Sequence, residues 1–230
     1  MAQLCLNTYQ DGIRPDDDFI SVAWLQKKNA AAIAVEHREW RAIIFEGSDQ
    51  GADFLDNFDI RKTPYYHSGF FTHYIKIYAK VESWLDTTIC KYGDKPLYFA
   101  GHSLGGACAI IAALESHIEK NLTPEGVFVF GCPKTLTITG KKVFDRAGIF
   151  CRRFRNHQDI VPRVPRRSMG FYHAGEEYYI DRKGYFHKTS RWFWRFWDRC
   201  MGGFLYGAIS DHSMGEYAEL LDAWTKRVGK

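Results

Sequence analysis

Five residues constrain the fold of this 230-residue chain more than any others: Gly101-His102-Ser103-Leu104-Gly105, a G-x-S-x-G with an apolar run on each side. Before it, Pro96-Leu97-Tyr98-Phe99-Ala100 is a short apolar segment that reads as a buried strand. After it, residues 106–114 are only Gly, Ala, Cys, Ile and Leu, a small-residue helix suited to close packing on a sheet. Strand, sharp turn and helix are the setting in which such a serine sits on strained backbone with its hydroxyl above the sheet. Glycines flank it because a Cβ does not fit where strand and helix approach so closely.

The rest of the chain supplies elements to pack around that turn. Asp16-Asp17-Asp18 predicts the start of a helix running to about residue 28, with acidic residues at its positive end. Residues 30–36 and 40–45 are apolar, β-prone runs that read as a hairpin. Residues 69–92 carry Phe70, Tyr74, Ile77, Val81, Trp84 and Leu85 at helical spacing. Residues 126–130, 149–154 and 177–180 read as further strands, and 213–226 as a terminal helix. Strands alternating with helices predict an α/β fold, with a predominantly parallel central sheet flanked by helices. No repeat, low-complexity tract or linker divides the chain, so residues 1–230 are expected to form one domain.

Composition narrows the setting. Six cysteines (Cys5, Cys90, Cys108, Cys132, Cys151, Cys200) lack paired C-x-x-C spacing, which argues for free thiols and against a metal site. The first residues carry neither a basic region nor a long apolar one, so a cytoplasmic location is expected, with peripheral membrane association or a non-classical export route as alternatives. The longest uncharged stretch, 96–114, is interrupted by glycines and is accounted for by the strand, turn and helix. The net charge of +4 hides an asymmetry: residues 1–140 hold 13 basic against 17 acidic side chains, residues 141–199 hold 15 against 6. Such a block suggests an anionic partner surface, or else a solvated face with Arg stems over the core. No nucleic-acid recognition motif accompanies it.

A serine hydroxyl becomes a nucleophile only when a positioned base removes its proton and a carboxylate orients that base. On folds with this turn the partners follow in the order Ser, Asp or Glu, His. Asp159, in Asn156-His157-Gln158-Asp159-Ile160-Val161-Pro162, follows the 149–154 strand, where a strand-end carboxylate belongs. His212, in Ser210-Asp211-His212-Ser213, precedes the terminal helix. Asp145 and Asp181 compete for the first role and His173 for the second; His102 is expected to pack beside the serine.

Taken in order, these segments resemble the class 3 lipases, the fungal-lipase-like branch of the α/β-hydrolases. The matching blocks are Phe45-Glu46-Gly47-Ser48, His67-Ser68-Gly69-Phe70, the GHSLGGA of 101–107, Gly131-Cys132-Pro133, Asp159-Ile160-Val161-Pro162, residues 170–177 and Asp211-His212. The resemblance spans roughly residues 30–225. It implies an α/β-hydrolase fold with Ser103 as nucleophile, His212 as general base and then acid, and Asp159 as its orienter. It also implies an oxyanion hole from the backbone N–H groups of Ser48 and Leu104, and no metal or other cofactor. Residues 49–59 occupy the family's lid position, with Phe54 and Leu55 as lid or acyl-pocket contacts. Glu46 stands where the family usually has Arg.

Residues 182–210 are particular to this chain. Arg191-Trp192-Phe193-Trp194-Arg195-Phe196-Trp197 interleaves aromatic and basic side chains, the composition of a segment lying at a lipid headgroup region. Trp192, Trp194 and Trp197 are its candidate interface residues; the alternative is a helix packed in a core or acyl pocket. The reading is a serine carboxylic ester hydrolase for glycerides or phospholipids, with peripheral contact to an anionic membrane. Alternatives are a lipid-binding or membrane-perturbing protein without turnover, and a serine acyltransferase or peptidase. Oligomeric state is not legible.

Overall fold

The computed structural model describes residues 1–7, 18–48, 61–188 and 211–228. Its frame is an eight-stranded sheet in the order β1 (Phe19–Lys27), β2 (Ala30–His37), β3 (Arg41–Phe45), β4 (Leu97–His102), β5 (Gly126–Phe130), β7 (Cys151–Asn156), β9 (Glu176–Ile180) and β10 (Phe186–Lys188). The short strands β6 (Leu136–Thr137) and β8 (Phe171–Tyr172) pair apart from it. Strands β3, β4, β5, β7 and β9 run parallel, with Ile43 beside Phe99, Ala100 beside Phe128 and Arg153 beside Glu177. Antiparallel strands finish both edges, β1 and β2 on one side and β10 on the other. The parallel middle follows from apolar runs covered on both faces.

Helices α2 (Ser68–Tyr92) and α3 (Leu104–Lys120) cover one face. Phe70, Tyr74, Ile77, Val81 and Leu85 of α2 are buried there against Ile43, Phe99 and Val127, as the helical spacing predicts. Trp84 is only partly buried. Every residue of α3 from Leu104 to Leu114 is buried, so its small side chains are what allow it to lie close to the sheet. On the other face α1 (Ala2–Asn7) and α5 (Met214–Val228) meet Ile33, Ile44, Ala100 and Phe130 through Cys5, Met214, Tyr217 and Ala218.

The structure corrects the expected helix up to residue 28. Residues 19–27 form strand β1, and Asp16 and Asp17 lie outside the described residues. Phe19, Ile20, Val22 and Trp24 carry β-prone side chains, and β2 offers a complete antiparallel register from Val22↔Val35 to Lys27↔Ala30. Sheet pairing outweighs the acidic cap signal. Strand β7 begins two residues later than expected and extends to Asn156, and a helix α4 (Ile138–Arg146), capped by Thr137, was not anticipated.

At the edge of the sheet where β4 begins, buried Glu36 is paired with Lys95 Nζ at 2.8 Å and Arg41 Nε at 3.2 Å. Arg41 Nη2 also donates to the Gly93 carbonyl at 2.6 Å, which ties β2, β3 and the α2–β4 connection together. Five cysteines (5, 90, 108, 132 and 151) are free thiols, all but Cys90 buried, and Cys200 lies outside the described residues. Burial pushes the Cys5, Cys108 and Cys151 thiols up to about 12, which keeps them protonated and unreactive.

Candidate active site

Ser103 sits between the end of β4 and the start of α3 with φ 55° and ψ −124°, a sparsely populated backbone conformation for a residue with a Cβ. Packing enforces it. A Cβ on Gly101 would collide with the Gly105 backbone, and one on Gly105 with the carbonyls of Phe45 and Glu46. The two motif glycines therefore let β4, α3 and the end of β3 meet. The Ser103 N–H donates to the Phe130 carbonyl at 2.9 Å, so the strained residue is still hydrogen-bonded to β5.

The two expected partners arrive from the ends of other elements. His212, on the turn before α5, places Nε2 2.9 Å from Ser103 Oγ and Nδ1 3.0 Å from Asp159 Oδ2. Asp159, on the turn after β7, is fully buried and accepts hydrogen bonds from the Val161 N–H at 2.9 Å and the Tyr217 hydroxyl at 2.7 Å. A carboxylate only accepts, so Nδ1 of His212 carries the proton and Nε2 is free to accept from the serine. The chain Ser103–His212–Asp159 is continuous.

The rival residues lie elsewhere. Asp145 is half-exposed and paired with Lys141 at 2.7 Å, and Asp181 folds a turn through the N–H groups of Lys183 and Tyr185. His173 donates through Nε2 to the Pro162 carbonyl at 2.8 Å, and burial holds its pKa well below 6.5. His102 packs its ring 4.5 Å from that of His212 and donates Nε2–H to the His212 carbonyl at 2.7 Å. Burial, then the neighbouring His212, keeps His102 neutral, so it holds the base in place without competing for its proton.

Three groups at the site have roles that the motifs do not give, although Gly131 and Asp211 stand within matching blocks. Tyr217 accepts from the Asn156 N–H at 2.7 Å while donating to Asp159, and burial pushes its phenol well above its ordinary value, so it remains a donor. The signal for it was its position five residues after His212 on the buried face of α5. Asp211 crosses between the two loops, its Oδ2 accepting from the Gln158 N–H at 2.8 Å and from His157 Nδ1 at 3.2 Å. Gly131, just past β5, has φ 54°, and a Cβ there would lie 2.7 Å from Asp159 Oδ2 and 2.8 Å from His212 Nδ1.

That last contact gives a sharp expectation. Gly131→Ala is expected to cost about 2–4 kcal/mol, from left-handed backbone strain and overpacking together, and to lower turnover at least about tenfold by displacing the His212–Asp159 pair. Gly148 shares a positive φ of 67°, but a methyl group there would meet nothing within 4 Å. Gly148→Ala should therefore lose only about 1–2 kcal/mol to backbone strain and keep its activity. Denaturant titration and hydrolysis of a soluble ester measure both.

Leu104 opens α3, where the first N–H groups of a helix have no acceptor within it. Ser48 lies half-buried three residues beyond the end of β3, in the loop that starts at the Glu46 carbonyl against Gly105. Both expected oxyanion donors thus belong to segments that flank the Ser103 turn. Glu46 is held by a bond from its N–H to the Ala31 carbonyl at 3.0 Å. Phe54, Leu55, Trp192, Trp194 and Trp197 lie outside the described residues.

Residues 37–169 match the model of the family described as lipase (class 3), a stretch of more than half the chain. The chain belongs to the class 3 lipase family. A lipase of Rhizomucor miehei is 30% identical to it over 148 residues, a match covering 60% of this chain and 41% of that protein. A lipase of Rhizopus niveus is 31% identical over 117 residues, covering 50% and 30%. This class 3 lipase family member thus spans less than half the length of these curated relatives. A solved triacylglycerol lipase of Penicillium expansum aligns with a TM-score of 0.70 over 83% of this chain and 80% of its own, at 20% identity. The fold is that of the α/β-hydrolases, as the resemblance implied.

Proposed function

We propose that this class 3 lipase family member is a serine carboxylic ester hydrolase that acts on lipid esters, glycerides or phospholipids, through an acyl-enzyme. The observation that carries the reading is the unbroken hydrogen-bond chain from Ser103 Oγ through His212 to Asp159, with the serine on strained backbone at the turn. Ser103 Oγ attacks the ester carbonyl as His212 Nε2 takes its proton, and Asp159 stabilises the imidazolium that forms. The carbonyl oxygen, now negative, faces the backbone donors assigned to Ser48 and Leu104, a contribution of about 3–4 kcal/mol per donor in related chemistry. His212 then protonates the departing alcohol, and water, activated by the same imidazole, cleaves the acyl-enzyme.

The substrate class rests on relatives that are lipases by name, among them secreted mono- and diacylglycerol lipases of Malassezia restricta and Fusarium solani. Contact with an anionic surface belongs to this reading, supported by the excess of basic residues in 141–199. The test is release of fatty acid from defined glycerides and phospholipids, resolved by position, from the wild type and Ser103→Ala side by side. The expected result is Ser103-dependent release from at least one lipid ester. Faster amide cleavage, or acyl transfer to an acceptor alcohol that outruns hydrolysis, would overturn it.

A further inference from the structure

Three short segments beside the Asp159 turn form one module with charge of a single sign. Residues 61–68 bridge to 135–136 through Tyr66↔Leu136 and the bond from the His67 N–H to the Thr135 carbonyl. Strand β6 pairs with β8, and the Lys134 N–H donates to the Val164 carbonyl. Residues 61–68, 131–137 and 160–175 together hold Arg61, Lys62, Lys134, Arg163, Arg166 and Arg167, and no Asp or Glu.

Two kinds of cation are present. Lys134 is half-buried and structural: its Nζ donates to the carbonyls of Pro162 at 3.2 Å and Arg163 at 2.6 Å. Lys62, Arg166 and Arg167 are exposed, and among the described residues none has a carboxylate partner. Two of the three are supported from below, with Lys62 Nζ 5.4 Å from the Phe171 ring centroid and the Arg167 guanidinium 5.4 Å from that of Tyr172. Ile160, 42% exposed, lies between Asp159 and the basic turn.

We propose that Lys62, Arg166 and Arg167 form a docking surface for anionic phospholipid headgroups, which brings a bilayer against the side of the molecule where Asp159 and His212 reach Ser103. This rests on the hydrolase reading above and names the surface that site works on. An exposed isoleucine among supported cations fits a lipid interface, where apolar tips enter and cations meet phosphate. A nucleic-acid groove would leave that isoleucine without a role.

The 230-residue chain is tested by co-sedimentation with vesicles of ether-linked phosphatidylcholine, with and without about a third ether-linked phosphatidylglycerol, so that no ester is consumed. The wild type is expected to partition onto the anionic vesicles at least about tenfold better, and to lose the difference in high salt. The variant Lys62→Gln/Arg166→Gln/Arg167→Gln should lose most of that preference. A matched variant, Arg38→Gln/Lys80→Gln/Lys91→Gln, removes the same charge from the β2–β3 turn and from α2 and should keep it. Both should hydrolyse a soluble p-nitrophenyl ester at the wild-type rate. Equal partitioning of wild type and the first variant, equal loss in both variants, or loss of soluble-ester activity in the first would each overturn the proposal. So would a preference for single-stranded RNA over anionic vesicles. A wild type that binds vesicles but hydrolyses no ester would instead refute the hydrolase reading.

Discussion

Ser103→Ala is expected to lower hydrolysis of a soluble p-nitrophenyl ester by about 10⁴–10⁶-fold, the scale on which nucleophile removal acts when serine and base work as a unit. Stability should change by no more than about 1 kcal/mol, since the hydroxyl's hydrogen bond to His212 is the interaction removed and the backbone is untouched. Parallel rate measurements and denaturant titrations separate the two. A folded Ser103→Ala protein with a near-wild-type rate would contradict the assignment of every other residue at the site.

The second large effect is expected from Asp159→Asn. The Val161 N–H fixes the orientation, because it donates to Oδ1 and would hold an amide oxygen there. The amide nitrogen would then replace Oδ2 and face both the Tyr217 hydroxyl and His212 Nδ1. Nδ1 lies 3.0 Å from both carboxylate oxygens, so it would face a donor beside an acceptor: the tautomer with its proton on Nε2, which cannot accept from Ser103, gains weight, and the negative charge that stabilises the imidazolium is lost. Turnover should fall about 10⁴-fold. The Tyr217 proton is left without its acceptor in a buried site, which costs about 1–3 kcal/mol of stability. Asp145→Asn and Asp181→Asn, measured beside it, should stay within about twofold of wild type, because neither carboxylate reaches His212. A comparable loss in either would reassign the orienting carboxylate.

These expectations rest on residues that differ in how visible they are in a linear sequence. The Ser103 turn is legible because its causes are contiguous: the strand, the helix and both glycines lie between Leu97 and Lys120. Asp159 and His212 are legible because each sits at the end of an element whose period is clear, β7 and α5. Helix α2 shows itself through Phe70, Tyr74, Ile77, Val81 and Leu85, which all turn to one face.

What the sequence hides depends on partners distant in the chain. Strand β1 carries an acidic cap signal, and only its pairing with β2 decides against a helix. Tyr217 reads as an ordinary buried aromatic until α5 is laid across the end of β7, where its hydroxyl meets the Asn156 N–H and Asp159. Gly131 reads as a turn residue, yet its missing side chain is the space that the His212–Asp159 pair occupies. The basic block of 141–199 is visible as composition, but the placement of Lys62 over Phe171 and of Arg167 over the neighbouring Tyr172 is a property of the fold.

The most direct test of the central claim is labelling with a fluorophosphonate probe, read by intact mass and by peptide mapping. The account predicts one adduct per folded wild-type chain, on Ser103, none on Ser103→Ala, and greatly slowed labelling of Asp159→Asn. A folded wild-type protein that takes up no probe, or takes it up on another residue, would contradict it.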